Sequence, residues 1–182
     1  MSLDCEQKFI PMVKRIGILA LILLAFGANA HAQSDNKTEW YRFWVGSWDL
    51  TWQDTSGQEG KGTNVIREVL DGTVIEENFE AIAGSQTGYK GRSLSILSQP
   101  NGVWRQVWVD NQGGYIEFTG RKDGDRYYFE TEVTTTPAGA QVQSRMVFYD
   151  ITENSLTWDW ERTQDGGDTW ILNWRIHYTK QQ

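Results

Sequence analysis

Carboxylates concentrated on one segment are the side chains here that could carry acid–base or polar binding chemistry. Glu76, Glu77, Asn78 and Glu80 lie within five positions of one another. Because side chains of a β-strand alternate between its two faces, some of these must turn inward. A buried carboxylate must pair with a cation or stay protonated, which suits a ligand contact or an acid–base site. We take Glu76 or Asn78 as the inward polar contact; an exposed acidic strand face is the alternative.

Histidine and cysteine are too scarce for most metal and nucleophilic sites. The chain has two histidines and one cysteine, and His31 and Cys5 fall in the N-terminal segment that we expect to be removed. His177 is then the one histidine left, so a zinc centre with several histidine or cysteine ligands is excluded and no metal is predicted. A serine–histidine–aspartate triad would have to use His177 as its base.

Ten tryptophans are many for a chain of 182 residues. Indole rings give large apolar surfaces on which an aromatic, sugar or polyene ligand can stack. Trp104, Trp108, Trp158 and Trp160 lie on segments in the middle and later parts of the chain. We expect them to line a cavity, whereas filling of a wide core is the alternative for most of the ten.

The elements that position these residues have the pattern of β-strands. From Trp40 onwards, short segments with a period of two alternate with clusters of Gly, Asn, Asp and Pro, as in the Asp71-Gly72 turn. Nine such clusters predict roughly ten strands. On the last strand the alternation places these residues on one face: Trp170, Leu172, Trp174, Ile176 and Tyr178.

These strands predict an all-β domain, an antiparallel up-and-down meander that closes into a barrel. Closure removes the two unpaired edges of an open meander, and short turns make it topologically simple. An open two-sheet sandwich is the alternative. A short helix over residues 35–43, capped by Asp35, is predicted before the first strand.

The first residues have the features of a secretion signal. Lys14 and Arg15 precede an apolar run over residues 16–26, and Ala30-His31-Ala32 fits a signal-peptidase site. The run is shorter than the roughly 20 residues that a membrane-spanning helix needs, although a retained anchor is the alternative. We expect residues 1–32 to be removed, leaving one domain over 33–182 in the periplasm or outside the cell, with no stable membrane insertion.

The net charge of −7 argues against nucleic acid as a partner, because phosphates would be repelled. We therefore expect no nucleic-acid partner.

The segment Gly46-Ser47-Trp48 resembles the Gly-x-Trp that opens the first strand of lipocalins. Arg175 resembles the arginine that packs across that tryptophan in the wider calycin group, although strict alternation places Arg175 opposite Trp174 and Ile176. The mature chain is also similar to uncharacterised lipocalin-like proteins that bacteria export. The resemblance implies a barrel fold and no known activity.

Two further motifs have resemblances of their own. His177 resembles the last-strand histidine that ligates haem in the nitrobindin branch of the calycins, which would make it a cofactor ligand. The segment from Thr163 to Trp170 resembles one Asp-box hairpin of sialidases. As a single copy it indicates a turn, with a calcium site at Asp165 and Asp168 as the alternative.

The leading functional hypothesis is an exported barrel that holds a small, largely apolar or amphipathic ligand. The four tryptophans would supply apolar surface; Arg175, Tyr178 and either Glu76 or Asn78 would supply polar contacts. Three alternatives remain: a calycin-type isomerase or cyclase using buried carboxylates, a haem protein using His177, and a packed envelope interaction protein. No cofactor is assigned in the leading hypothesis, and the sequence leaves open whether the protein is an enzyme.

Overall fold

A closed antiparallel barrel is the architecture of this protein, seen in a computed structural model that describes residues 36–182. The predicted signal segment 1–32 and the predicted cap Asp35 lie outside the described residues. The strands are β1 (Gly46–Gln53), β2 (Glu59–Val69), β3 (Val74–Ala83), β4 (Lys90–Ser98), β5 (Val103–Asp110), β6 (Tyr115–Asp123), β7 (Arg126–Glu130), β8 (Thr134–Thr135), β9 (Gln141–Tyr149), β10 (Ser155–Thr163) and β11 (Ile171–Lys180).

Each strand pairs with its neighbour in the chain, and β11 pairs back onto β1. The two-residue β8 is the exception, since it pairs with β9 within the connection from β7, while β7 itself pairs with β9. Ten strands therefore close the barrel without a free edge, which confirms the predicted fold class. No helix within residues 36–182 is long and apolar enough to cross a lipid bilayer.

The hairpin between β2 and β3 has the turn chemistry that the sequence predicts. Leu70, Asp71 and Gly72 all have positive φ angles, of 50°, 60° and 77°. Aspartate and glycine tolerate this left-handed conformation better than most residues do. The turn lets β2 and β3 pair along almost their whole lengths, from Val69 opposite Val74 down to Lys61 opposite Ala83.

A bulge in β11 changes which residues face inward near the start of that strand. Trp160 pairs with Trp174, but Glu161 pairs with Leu172, so Asn173 is an extra residue. A bulge reverses the phase of the residues beyond it. The prediction that Trp170 and Leu172 share a face with Trp174 is therefore wrong: Leu172 lies on the outer face, opposite Glu161.

Two short 3-10 helices, Lys37–Glu39 and Arg42–Trp44, close one end of the barrel, which we call the closed end. They occupy the place of the predicted helix. Between them, Tyr41 stacks on Phe129 with ring centroids 4.2 Å apart and donates a hydrogen bond of 2.6 Å to the carbonyl of Tyr128. The helices are therefore held against the barrel core.

The core fills the closed half of the barrel. Side chains with almost no exposed surface there come from opposite walls: Trp44, Trp48, Leu50, Ile66, Phe118, Phe129, Phe148 and Ile176. Lys180 places its ammonium 5.6 Å from the ring centroid of Trp48, and a cation over an indole face is attracted by its π-electrons. Lys180, and not Arg175 as the calycin resemblance implied, is thus the cation that covers the tryptophan of the Gly-x-Trp motif.

Candidate functional site

The opposite end of the barrel, which we call the open end, is formed by the connections after β1, β3, β5, β7 and β10. Aromatic side chains dominate its inner wall and the hairpin beside it: Trp52, Phe79, Tyr89, Trp108, Trp158, Trp160 and Trp174. Of these, Trp158, Trp160 and Trp174 face inward and yet are only half-buried. These three indoles are therefore partly exposed to solvent at this end of the barrel. We call the seven residues the aromatic cluster.

Edge-to-face contacts connect the members of the aromatic cluster. Trp174 lies 5.2 Å from Trp52 and 5.9 Å from Phe79, measured between ring centroids, and both pairs are nearly perpendicular. Trp158 lies parallel to Trp160, with an interplanar angle of 7° and centroids 6.4 Å apart. This parallel spacing follows from two inward positions on one strand, and the partly exposed faces can receive a flat or apolar group.

Glycine makes room for one of these indoles. Gly91 on β4 faces inward, and a Cβ atom at that position would overlap the six-membered ring of Trp108. The Trp108 side chain can therefore lie flat across the neighbouring strand, and its indole N–H donates a hydrogen bond of 3.1 Å to Asp110. Asp110 also accepts a hydrogen bond of 3.0 Å from the Tyr89 hydroxyl, so Trp108 and Tyr89 are fixed at the rim.

One inward position deeper than Phe79 lies a buried carboxyl group, that of Glu77. Asn64 Nδ2 donates to Glu77 Oε1 at 2.7 Å, and Ser93 Oγ donates to Glu77 Oε2 at 2.6 Å. Asn64 Nδ2 also donates to the Tyr178 hydroxyl at 3.2 Å. The four side chains come from β2, β3, β4 and β11, so the barrel itself brings them together. We call them the Glu77 cluster.

Burial controls the protonation of this cluster. Glu77 is 5 % exposed, and loss of solvent raises its pKa from 4.5 to about 7, against the lowering effect of the Ser93 and Asn64 hydrogen bonds. The pKa of Tyr178 is raised by burial and by the nearby Glu77 charge. No lysine or arginine within residues 36–182 forms an ion pair with Glu77. The carboxyl group can therefore gain or lose a proton near neutral pH.

A second polar pair extends the inner wall beside the cluster. Gln106 Nε2 donates to Ser95 Oγ at 2.9 Å, and both side chains are buried. Gln106 Oε1 and Asn64 Oδ1 are buried oxygens that accept no hydrogen bond from the described protein atoms. Buried polar atoms normally have a partner. The inner wall of the barrel therefore contains two buried acceptors without a partner among the described atoms.

The predicted aromatic site residues lie in three places. Trp108, Trp158 and Trp160 belong to the aromatic cluster at the open end, and Tyr178, predicted as a polar contact, belongs to the Glu77 cluster. Trp104 lies at the closed end instead, where it contacts Tyr41 with centroids 5.2 Å apart and donates to the carbonyl of Lys37 at 2.7 Å. Trp104 thus packs between the barrel wall and the 3-10 helices, away from the other three.

The predicted polar contacts lie mostly on the outer face, which corrects their placement in the interior. Glu76 and Asn78 point away from the interior because they alternate with Glu77, and Asn78 lines an outer depression of about 460 Å³. Arg175 forms a two-pronged ion pair with Asp159 on the outer wall, with both nitrogen–oxygen distances 2.7 Å. Strand alternation is the cause in each case.

His177 is also on the outer face, exposed, and opposite Thr51 and Thr157 on the two adjoining strands. Its ring cannot reach the interior, so the position gives no support to a haem bound inside the barrel through this residue. Among residues 36–182, no group of three or more histidine, cysteine, aspartate or glutamate side chains could hold a metal ion.

The hairpin that resembles an Asp-box is a self-contained turn. Asp165 accepts hydrogen bonds from the Thr163 hydroxyl at 2.6 Å and from the Thr169 hydroxyl at 2.5 Å. Trp170 lies on the outer face, with the guanidinium of Arg145 3.6 Å from its ring centroid. The Asp165 carboxylate is occupied by the loop, as the turn interpretation predicts.

The sequence analysis named Glu77 among the clustered carboxylates but took Glu76 or Asn78 as the inward contact, and it missed Asn64, Ser93 and Gln106. For Glu77 a signal was available: Ile75, Phe79 and Ala81 are the apolar residues of β3 at alternate positions, and Glu77 shares their phase. The same phase places Glu76 and Asn78 outside. The other three are polar residues on inward phases of their strands, and only the folded barrel shows that Asn64 and Ser93 bond to Glu77 and that Gln106 bonds to Ser95.

No model of a known protein family matches the chain, and neither does any curated protein. Among solved structures, it is similar to the S-type phycobiliprotein lyase CpeS from Guillardia theta, with 13 % identity over 79 % of this chain and 92 % of that chain and a TM-score of 0.46. A β-barrel designed de novo to activate fluorescence has 12 % identity over 76 % and 94 % of the two chains, with a TM-score of 0.41. Neither similarity bears on the ligand or activity of this protein.

Proposed function

We propose that this protein binds a small amphipathic molecule, largely apolar, through the open end of its barrel. The observation that carries the proposal is a buried, hydrogen-bonded carboxyl group beneath a cluster of aromatic side chains, three of which, Trp158, Trp160 and Trp174, are half-exposed. Ligand sites in proteins combine mostly apolar walls with a few placed polar groups, and this end of the barrel has both.

The aromatic cluster and the Glu77 cluster bind different parts of the ligand. The exposed faces of Trp158 and Trp160 contact the apolar body of the ligand. Removing this apolar surface from water stabilises the complex by about 25 cal/mol per Å². A polar group of the ligand bonds to Glu77 and to the free oxygen of Asn64. Because Phe79 and Trp174 are in contact above Glu77, these rings part as the polar group enters.

We also propose that the protein works outside the cytoplasm. The support is the sequence alone: Lys14-Arg15, the apolar run and Ala30-His31-Ala32 fit a cleaved signal, leaving residues 33–182 as one exported domain. A periplasmic or secreted barrel suits a carrier of poorly soluble molecules.

Native mass spectrometry tests binding and export together. The 182-residue chain is expressed in a bacterial host, and the protein is purified from the envelope fraction. We expect a mass that begins at Gln33, plus a stoichiometric bound species that organic solvent extracts. A Glu77→Gln, Trp160→Ala double variant should lose that species, and a Glu76→Gln variant should keep it. A protein without bound mass that also binds none of the matched probes described below would refute the binding proposal.

Acid–base catalysis on the bound molecule is the second candidate function. It is favoured by one observation, a carboxyl group with a pKa of about 7, since a group whose pKa lies near the working pH is an efficient general acid or base. In this hypothesis Glu77 would move a proton within the ligand, as isomerases and cyclases do.

The two functions differ in what happens to the ligand. The molecule extracted from the Glu76→Gln control is incubated with an excess of fresh protein and followed by chromatography and mass spectrometry. A carrier returns it unchanged. An enzyme converts it to an isomer at a rate that falls at least about 100-fold in Glu77→Gln, the usual contribution of a general acid or base.

A further inference from the structure

The Glu77 carboxyl group is a buried acid without a buried counter-ion. Its hydrogen bonds come from two neutral donors, Asn64 and Ser93. A carboxylate has room for about four hydrogen bonds, so half of its accepting capacity is free. Placing a lone charge in a protein interior is costly unless a cation joins it. The cluster is thus complementary to a positively charged group.

Around Glu77 the inner wall presents further acceptors. Asn64 Oδ1 and Gln106 Oε1 are both buried without a donor. Gln106 lies opposite Ser95, two positions along β4 from Ser93. Asn64 on β2, Glu77 on β3 and Gln106 on β5 therefore all hold buried oxygens with spare accepting capacity on the inner wall, and a group with several N–H donors could use them.

Cations of the described chain are placed away from this region. Among the inward-facing positions of the barrel strands, Lys122 and Lys180 lie at the closed end and Arg162 lies at the rim of the open end. The remaining strand lysines and arginines alternate outward, as Arg175 does. Among residues 36–182, the interior between rim and closed end therefore carries a single acidic side chain and no basic one.

The indole rings between the rim and Glu77 also favour cations. Indole rings carry negative charge on their faces and attract ammonium and guanidinium groups at about 0.5–2 kcal/mol in the few ångströms above the ring. Trp158 and Trp160 present parallel faces, and Trp174 lies 6.0 Å from Trp158 at 89°. The net charge of −7 draws cations to the protein as a whole.

We infer that the ligand is an organic cation, a protonated amine or amidine on an apolar body, whose N–H groups bond to Glu77, Asn64 and Gln106. This inference rests on the proposed function, because it names the chemistry of the molecule that the barrel holds. The buried indole N–H groups of Trp52 and Trp174, which have no acceptor among the described atoms, lie nearer the rim and can donate to an acceptor in the ligand body.

Matched probes with three head groups test the inference. The 182-residue chain is expressed in bacteria, and its processed form is purified from the envelope. Dialysis removes bound material. Isothermal titration calorimetry then measures the affinity of the protein for each probe. The probes are octylamine, octanol and octanoate, and the corresponding 3-phenylpropylamine, 3-phenylpropanol and 3-phenylpropanoate. A charge-assisted hydrogen bond predicts amines that bind about 10- to 100-fold more tightly than the alcohols at pH 8.

Variants identify the group responsible for that preference. Glu77→Gln should abolish the preference for amines while leaving alcohol binding within about twofold, and Glu76→Gln, on the opposite face of the same strand, should change neither. Arg162→Gln removes the rim cation, which has no ion pair among the described residues, and should leave amine binding unchanged.

The pH dependence gives an independent readout. Tyr178 on β11 and Tyr89 beside β4 are the titratable groups that face Glu77; burial raises the pKa of Tyr89 to about 12 and raises that of Tyr178 as well, so both stay neutral from pH 5 to 9. Amine affinity should therefore fall by up to about tenfold per pH unit below about pH 7 as Glu77 gains its proton, until it reaches the affinity of the matched alcohol. Alcohol affinity should stay constant.

Each other outcome overturns the inference in a recognisable way. If amine and alcohol bound equally, or if the preference for amines persisted in Glu77→Gln, binding would not require a positive charge next to Glu77. The inference would then be wrong, and the proposed function would be unaffected. Tighter binding of the carboxylates, lost in Arg162→Gln, would show an anionic ligand held at the rim. If none of the six probes bound, both the inference and the proposed function would fall.

Discussion

Replacing Glu77 by glutamine should change how the stability of the barrel depends on pH. Glutamine keeps the shape of the side chain and can still accept from Asn64, while Ser93 can turn to accept its amide. The carboxyl pKa is raised in the folded protein, from 4.5 to about 7. Below pH 4.5 the group is protonated in both states, so wild-type and variant should be equally stable there.

The difference in free energy of unfolding between the variant and wild-type increases as the pH rises. Between pH 4.5 and about 7 the unfolded chain loses the Glu77 proton and the folded barrel keeps it, so the unfolded state gains stability by about 1.4 kcal/mol per pH unit. At pH 8 the variant should exceed wild-type by about 3 kcal/mol, equivalent to a rise of roughly 6–12 °C in melting temperature for a domain of this size. The sign matters: ionisation of Glu77 destabilises the ligand-free barrel.

Urea denaturation followed by tryptophan fluorescence measures this difference at pH 4, 5, 6, 7 and 8 on protein stripped of bound material. Glu76→Gln is the control, since it removes a carboxyl group from the outer face of the same strand. Stability curves of wild-type and Glu77→Gln that run parallel from pH 4 to 8 would refute the reasoning, because Glu77 would then ionise as freely in the barrel as in the unfolded chain.

Other variants test how the wall of the barrel is held. Arg175→Gln leaves the buried carboxylate of Asp159 without its cation, and should cost about 1–3 kcal/mol in chemical denaturation, less than for a pair buried on both sides because the guanidinium is half exposed. Gly91→Ala forces the Trp108 ring away and should cost about 1–3 kcal/mol with a red-shifted tryptophan emission, whereas Gly57→Ala, with open space around it, should not move the emission. Asp165→Ala frees the threonine hydroxyls of its hairpin and should accelerate amide hydrogen exchange in that loop alone.

The fold could be predicted from the sequence because its signals are local. Turns such as Asp71-Gly72 specify hairpins, and a meander of hairpins has one simple way to remove its edges. The face of each residue could be predicted only where the strand is regular. At Asn173 a bulge reverses the phase of the residues before it, and nothing in the local residue types marks that extra position. The placement of Trp170 and Leu172 failed there for this reason.

The site was harder to predict than the fold because it depends on contacts between strands. Glu77 had a local signal in the apolar phase of Ile75 and Phe79, yet the crowd of neighbouring carboxylates hid it. Asn64 is separated from Glu77 by one hairpin, and Tyr178 is more than one hundred residues away in the chain. Only closure of β11 onto β1 brings Tyr178 to the cluster, so no spacing along the sequence could indicate the contact.

Stability and binding can be joined through one group. In the ligand-free barrel, ionised Glu77 opposes folding above about pH 7, because its charge is buried without a partner. A cation that enters between Trp158, Trp160 and Trp174 would pair with the carboxylate and remove that penalty. Binding would therefore restore the free energy of unfolding that ionisation of Glu77 lowers in the ligand-free protein. A cationic probe should therefore raise the melting temperature of wild-type more at pH 8 than at pH 5, whereas in Glu77→Gln the increase should be small and independent of pH. A neutral probe that reproduced the wild-type pattern would show that the gain comes from apolar burial and not from the buried charge.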